Sequence, residues 1–547
     1  MAASLVNNAQ HRLRRLAREF RFRLNGWTVA AVLLGLFLFL PMAEVLWHIT
    51  SPAENWEHLR DTVLGRYLKG SAILVVGTAG LSLLLGVSTA WLVACCEFPG
   101  RRFFEWALIL PLAIPTYIAA FAYFDLLDRL TPLLIWVRTN ISPEAMTWLS
   151  DMMVYPVTTV VLAAVLYPYV YLVARAAFSR QGSRFAEAAQ TLGHEPQSVF
   201  WRVALPLARP AIIGGLALVI METLNDYGAV KHFGVPTFTT GIFRTWVSMG
   251  DLPGALRLAA CLMVLILFLL LLEKWLRFGA KFHKTSPSDR PFQRYPLGQA
   301  KAGLAFLCCL VPLVIGFALP LSRLAYWASL TAGKVLDATF LKLTVNSIGV
   351  ATATGLATVM IALFLAFTAR YFGSQAAGAT NRLAILGYAV PGAVIAMGVL
   401  LVAGQVTQAT GWILTGSLTV LVLCYVIRFL AVAWQPIDAG MERNCAQLNQ
   451  ASQTLGATPA RSLFHVNVPL LRNALIAGGL FVFVDTMKEL PLTLILRPAE
   501  FETLSTKTYD LVFQSQIPES SVPALCIILV SLLPVIWLNR QMRAPEQ

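Results

Sequence analysis

Four carboxylates stand in stretches of sequence that are otherwise apolar: Glu222 and Asp226, then Asp485 and Glu489. Within each pair the spacing is four residues, which puts both members on one face of a helix. The pairs recur at a constant offset, 485 − 222 = 489 − 226 = 263. Acidic groups inside membrane helices are costly and face a partner or a water-filled path. An oxygen-rich set suits a hard cation, which prefers carboxylate, carbonyl and water ligands, and disfavours anions; Tyr227 would add a phenolic oxygen. Full coordination would prevent release, so the expected contact is weak and electrostatic. The alternative pairs these carboxylates with Lys231, Lys488 or Arg497 as gate or packing salt bridges, and the residues alone leave both readings open. The candidate path residues are Glu222, Asp226, Tyr227, Asp485 and Glu489, with no firm metal site and no catalytic group.

The elements that must carry them are membrane helices. Hydrophobic residues make up 57% of the 547 and charged residues 13%. About 20 apolar residues cross a bilayer core of ~30 Å, and about twelve such runs occur, among them 27–47, 104–127, 211–230, 383–404, 474–496 and 522–538. Runs this continuous mean helices, since only helices and closed barrels satisfy the backbone in lipid. The net charge of +14 invites a nucleic-acid reading. With the N-terminus inside, however, most Lys and Arg fall on the cytoplasmic side, so the charge orients the chain. Both termini are then cytoplasmic, and no nucleic-acid partner is expected. The basic residues of 12–23 precede a run with no clear cleavage site, which reads as a retained anchor. The eight cysteines show no C-x-x-C spacing and read as packing residues.

Two polar segments between apolar runs repeat at the same offset. Glu187-Ala188-Ala189 with Gly193 and Pro206 is matched by Gln450-Ala451-Ser452 with Gly456 and Pro469; 456 − 193 = 469 − 206 = 263. Each reads as a cytoplasmic helix, at about 184–194 and 447–457. The small residues let a partner approach the backbone, the glycine supplies a left-handed stop, and Pro196 or Pro459 prevents continuation. Pro115 and Pro391 add a second match at offset 276, and a basic linker, 273–301, separates the copies. The expected organisation is two halves, 1–285 and 286–547, each of six transmembrane helices. The same topology in both implies a pseudo-twofold axis along the membrane normal. In the first half, 128–153 is an external insertion expected to dip toward the membrane at 130–137. Phe238, Thr240, Arg244 and Trp246 pair at offset 263 with Phe501, Thr503, Lys507 and Tyr509, as interfacial anchors or as contacts for a binding protein.

The polar segments, with a downstream Leu205-Pro206 or Val468-Pro469, resemble the E-A-A-x-x-x-G loop signature of permease subunits of binding-protein-dependent ABC importers. The likeness covers almost the whole chain, as a fused pair of type I (MetI-like) cores, an all-α polytopic membrane fold. The stretches 221–228 and 233–241, with 488–497, resemble the ferric-iron permeases of that superfamily. The resemblance implies a bacterial inner-membrane, multi-pass transport subunit that moves ferric iron by alternating access. It implies two cytoplasmic ABC ATPase subunits seated on the two polar helices and a periplasmic substrate-binding protein, with lipid around the spans. Gln450 and Ser452 depart from the signature, so the two coupling sites are expected to be unequal. No G-x-x-x-x-G-K-[ST] phosphate loop is present, so no cofactor is expected on this chain, and ATP would be used by a partner subunit. A fused thiamine permease and an ion-gradient-driven secondary transporter are the alternative readings.

Overall fold

The computed structural model of the chain describes residues 25–50, 52, 55–128, 131–191, 196–277, 294–444 and 446–543. Among these, ten helices are long and apolar enough to cross a membrane, or eleven when one bent pair counts as a single span. The bent pair and helix Ser521–Arg543 answer to the other two of the about twelve apolar runs, and local chemistry explains where the runs break. The run 104–127 breaks at Ile114-Pro115. Ile114 is extended (φ −93°, ψ 118°), as a residue before proline prefers, and Arg101–Ala113 meets Thr116–Asp125 at 89°. The run 522–538 lies on the 23-residue helix Ser521–Arg543, whose apolar part is counted only to Pro534. The run 383–404 opens with the 3-10 turn Ile385–Tyr388 and becomes a span only over Gly392–Thr410. The runs 211–230 and 474–496 keep their spans but lose their ends. Helix Leu205–Asn225 stops where Asp226 turns extended (ψ 131°), and Val468–Lys488 stops where Glu489 does (ψ 126°). Short helices Gly228–His232 and Pro491–Leu496 follow.

The insertion of the first half is helical on both sides of a turn. Thr131–Asn140 is one helix, and Pro143 opens a 49-residue helix that runs to Thr191, through the membrane and into the first polar segment.

The chain forms two compact units, Met1–Trp47 with Thr344–Glu502, and His48–Leu343 with Thr503–Gln547. Neither is continuous in sequence. In the first unit, helix Gly26–Trp47 packs on Gly392–Thr410, where a Cβ at Gly398 would lie 2.2 Å from the Pro41 carbonyl oxygen. In the second, the span Gln299–Val335 packs on Pro143–Thr191, where a Cβ at Gly316 would lie 2.1 Å from the Ala164 carbonyl oxygen. Only hydrogen fits at either place. Close backbone approach through small residues drives association where lipid tails are as apolar as the side chains. The same span is tied to helix Thr116–Asp128 by Arg323, which bonds Asp125 at 2.6 Å and stacks over Trp327 at 4.6 Å. The opening helix of each sequence half is thus packed against residues of the other half. The repeat also shows in the core: Thr78 and Ser82, with Thr354 and Thr358 at offset 276, are all fully buried.

Candidate functional site

The second polar segment is helical over Ala446–Thr454. It ends as expected: Gly456 is left-handed (φ 76°), and Ala457 N–H donates to Ser452 O at 3.0 Å, the six-to-one bond of a Schellman end. Pro459 does more than prevent continuation. Thr458 caps a new helix by accepting from Arg461 N–H, and Pro459 occupies its first turn, where its missing N–H costs nothing. Gln450 and Ala451 are exposed, with Leu455 87% and Leu448 46% exposed beside them. Ser452 faces inward. Its hydroxyl donates to Asn449 O at 2.9 Å and meets the Ser462 hydroxyl, while Asn467 Nδ2 donates to Asn449 Oδ1 at 2.8 Å and to Ser462 O at 2.9 Å. Ser452 therefore does not open the backbone to a partner; it fastens the helix to the returning segment.

In the first half Glu187, Ala188 and Ala189 lie on the end of helix Pro143–Thr191, and Gly193 falls outside the described residues. The first polar segment is thus not a separate helix within the described residues. Downstream, both halves do the same thing. Leu205 N–H bonds Phe200 O, and Val468 N–H bonds Leu463 O, each five residues back, closing π-turns Phe200–Ala204 and Leu463–Asn467. Pro206 and Pro469 explain this. Proline offers no N–H to the carbonyl four residues back and its ring clashes with it, so the chain widens by one residue just before.

The carboxylates separate into two kinds. Asp226 is 8% exposed and accepts from Ala229 and Val230 N–H, both at 3.0 Å, and from the Thr116 hydroxyl at 2.5 Å. Glu489 is 7% exposed and accepts from Leu492 N–H at 3.1 Å. Each caps the short helix that follows the break in its span. Thr116 has Gly392 as its counterpart at offset 276, and a Cβ at Gly392 would lie 2.5 Å from Glu489 Oε1. The longer carboxylate of the second half occupies the room that threonine takes in the first. Glu489 has a salt-bridge partner beyond the three cations expected. Arg428 Nε lies 3.3 Å from Glu489 Oε2, and Arg428 Nη1 donates to Val390 O at 2.9 Å. Arg428 sits inside Leu418–Glu442, 4% exposed. Its counterpart at offset 263 is Val165, so the first-half cap has no equivalent cation. Glu222 and Asp485 are half-buried on the preceding helices. Tyr227 stacks on Phe243 at 3.8 Å, and its hydroxyl meets that of Tyr509 at 3.2 Å.

The stretch after each cap corrects the pairing of the anchors. Thr237 and Thr240 form a reciprocal capping box, and so do Thr503 and Thr506. Thr237 Oγ1 lies 2.9 Å from Thr239 Oγ1, and Thr503 Oγ1 lies 2.9 Å from Ser505 Oγ. The true offset here is 503 − 237 = 266, so Thr237 rather than Thr240 answers Thr503. The pairings of Phe238, Arg244 and Trp246 shift likewise by three residues. Sequence reading missed Thr116, Gly392, Arg428, Asn449, Ser462 and Asn467. Signals existed for the first three: a Thr/Gly difference beside matched prolines, an Asp/Glu difference at matched caps, and an arginine within an apolar run.

Among the described residues no three of His, Cys, Asp and Glu gather closely enough to hold a metal ion. Burial pushes the Cys96 thiol up to about 11, which keeps it a neutral packing group.

A predominantly helical, multi-pass chain that repeats a polar segment, a π-turn and a capped helix break has the make-up of a membrane transport subunit. It belongs to the family described as binding-protein-dependent transport system inner membrane component, which matches residues 59–281 and 338–546. The chain is 28% identical over 521 residues to the Fe(3+)-transport system permease protein FbpB 2 of Haemophilus influenzae, covering 94% of this chain and 97% of that one. It is 28% identical over 217 residues to the molybdenum transport system permease protein ModB of Escherichia coli, covering 38% of this chain and 90% of ModB. It is 26% identical over 197 residues to the sulfate transport system permease protein CysT of Escherichia coli, covering 36% and 69%.

Proposed function

We propose that this chain is the fused two-half permease of an ABC importer for ferric iron. It would receive iron from a periplasmic binding protein and be driven by two cytoplasmic ATPase subunits, with both of its termini cytoplasmic. The observation that carries the mechanism is the second polar helix. Gln450, Ala451 and Leu455 face outward from a helix whose inner side is bonded to the returning segment. Such an element transmits a push from an external partner. The iron assignment is supported by end-to-end likeness to the ferric permease, against partial likeness to the molybdenum and sulfate permeases. The half-buried carboxylates Glu222 and Asp485 also fit a cationic cargo.

Of the five path candidates, Glu222 and Asp485 are proposed to line the path. Asp226 and Glu489 spend their oxygens on capping, and Tyr227 spends its hydroxyl on Tyr509. ATP would bind only the partner subunits. The test is uptake of ferric ion into proteoliposomes holding this chain, its ATPase subunit and an iron-loaded binding protein. Uptake should require ATP and the ATPase subunit, and should fall when Glu222→Gln is combined with Asp485→Asn. Uptake driven by a proton gradient alone would overturn the mechanism, and preference for molybdate, sulfate or thiamine would overturn the cargo. Wild-type uptake by the double variant would remove both residues from the path.

A further inference from the structure

Beside each polar segment an aromatic position is met by an aromatic side chain from outside its own half's core. In the second half, Phe367 stands near the end of helix Ala338–Tyr371, and Trp27, at the foot of the first-half helix Gly26–Trp47, packs on it. The ring centroids are 5.9 Å apart, and Trp27 also stacks on Phe364 at 5.7 Å. Phe367 stacks on Tyr371 at 4.8 Å, and Tyr371 O accepts from Nε2 of Gln453, on the polar helix itself, at 3.4 Å. In the first half the counterpart of Phe367 at offset 276 is Trp91. Its visitor is Tyr295, from the linker between the halves, at 6.5 Å. Tyr295 is held there by a parallel pairing of Tyr295–Pro296 with Cys96–Glu97. Trp91 also packs on Phe178, at 5.5 Å, and on Phe200, at 5.0 Å. These two residues flank the first polar segment.

We propose that Trp27 and Tyr295 are positioning residues for the two coupling segments, each setting the stance of the polar segment through one shared aromatic position. The proposal rests on the reading of 184–194 and 447–457 as ATPase docking elements. Its argument is the recurrence. Two unlike visitors, one from helix Gly26–Trp47 and one from the linker, arrive at matched positions, 91 and 367, from opposite halves of the sequence. Each sequence half thereby contributes to the stance of the other half's lever. Aromatic pairs add roughly 0.5–1.5 kcal/mol beyond area burial, enough to bias a two-state element by about twofold to tenfold.

The test uses the assembled importer in nanodiscs, with Trp27→Leu, Trp27→Phe, Tyr295→Leu and Tyr295→Phe. Three quantities are read: attachment of the ATPase subunit, basal ATP hydrolysis, and the stimulation of hydrolysis by iron-loaded binding protein. The leucine variants keep apolar volume. They should retain attachment while losing stimulation by about twofold to tenfold, and the phenylalanine variants should restore it. Stimulation unchanged in both leucine variants, or lost equally in the phenylalanine variants, overturns the proposal. If a leucine variant fails to assemble, the corresponding phenylalanine variant and stimulation by Trp91→Leu or Phe367→Leu decide in its place, by the same ratio. Failure of the underlying reading is separately visible. Ala451→Arg would then leave ATPase attachment intact in the otherwise unmodified chain.

Discussion

The two carboxylate caps solve one geometric problem with exchanged parts, and the exchange can be reversed. In the second half Glu489 reaches Leu492 N–H and Arg428 across the space left by Gly392. In the first half the shorter Asp226 meets the hydroxyl of Thr116. Gly392→Thr alone forces a Cβ to 2.5 Å from Glu489 Oε1 and 3.2 Å from Leu492 Cβ. Overpacking of this kind costs about 1–3 kcal/mol, and more if the Arg428 pair opens, since a broken buried pair costs about 3–5 kcal/mol. Glu489→Asp alone withdraws one methylene, about 0.8 kcal/mol of burial. It also pulls the acceptor from a buried N–H, at about 1–3 kcal/mol. The double variant rebuilds the first-half set, with the new hydroxyl beside the shortened carboxylate. Its cost should fall short of the sum of the singles by about 1–3 kcal/mol. The assay is a double-mutant cycle of unfolding free energies in mixed micelles. Costs that add to within about 0.5 kcal/mol would refute the idea that the two positions exchange volume.

Ser452→Ala restores the alanine of the family signature but strips Asn449 O and the fully buried Ser462 of their partner. Amide exchange across Ala446–Thr454 should speed up by about tenfold, and unchanged exchange would show that the cluster does not hold the helix. Gly456→Ala should lower the thermal midpoint, because its φ of 76° costs an ordinary residue about 1–2 kcal/mol. Gly456→Asn should lower it less, and equal midpoints would refute the cap. Gly316→Ala places a methyl 2.1 Å from a backbone oxygen that can yield only by moving a helix. A loss of about 1–3 kcal/mol in micelle unfolding is expected, and wild-type stability would show that the helices do not meet there.

Fold class was legible because lipid leaves the backbone so few options. Apolar length alone gives helices, and offset 263 gives the doubling. The span ends were not legible. Asp226 and Glu489 sit in apolar text that scores as continuous, yet their side chains bond the N–H groups of the next helix and so end the span. Length averaging cannot see a residue that caps. The shift from offset 263 to 266 was hidden for a related reason. Similar residues fall at both spacings, and only the reciprocal bonds of the threonine boxes choose between them. Arg428 was visible as a charge, but its partner lay 61 positions away, at Glu489. Only the packing of Leu418–Asn444 against Val468–Lys488 and its continuation brings the two together.

The polar segments carry nearly the same text and differ at the first letter of the signature. The first lies at the tip of a 49-residue helix that also crosses the membrane. The second is fastened to its surroundings by side chains: Ser452 to Asn449 and Ser462, Asn467 to Asn449, and Gln453 to Tyr371. Side-chain bonds of this kind hold about 0.5–1.5 kcal/mol each. The glutamate of the signature, Glu187, remains in the first copy, and Gln450 replaces it in the second. With the charge present in one copy only, removing it at position 187 should cost more coupling than adding one at position 450 restores. ATP hydrolysed per ion moved, compared between Glu187→Gln and Gln450→Glu, reads that asymmetry directly; opposite changes of equal size would mean that the two coupling sites are alike.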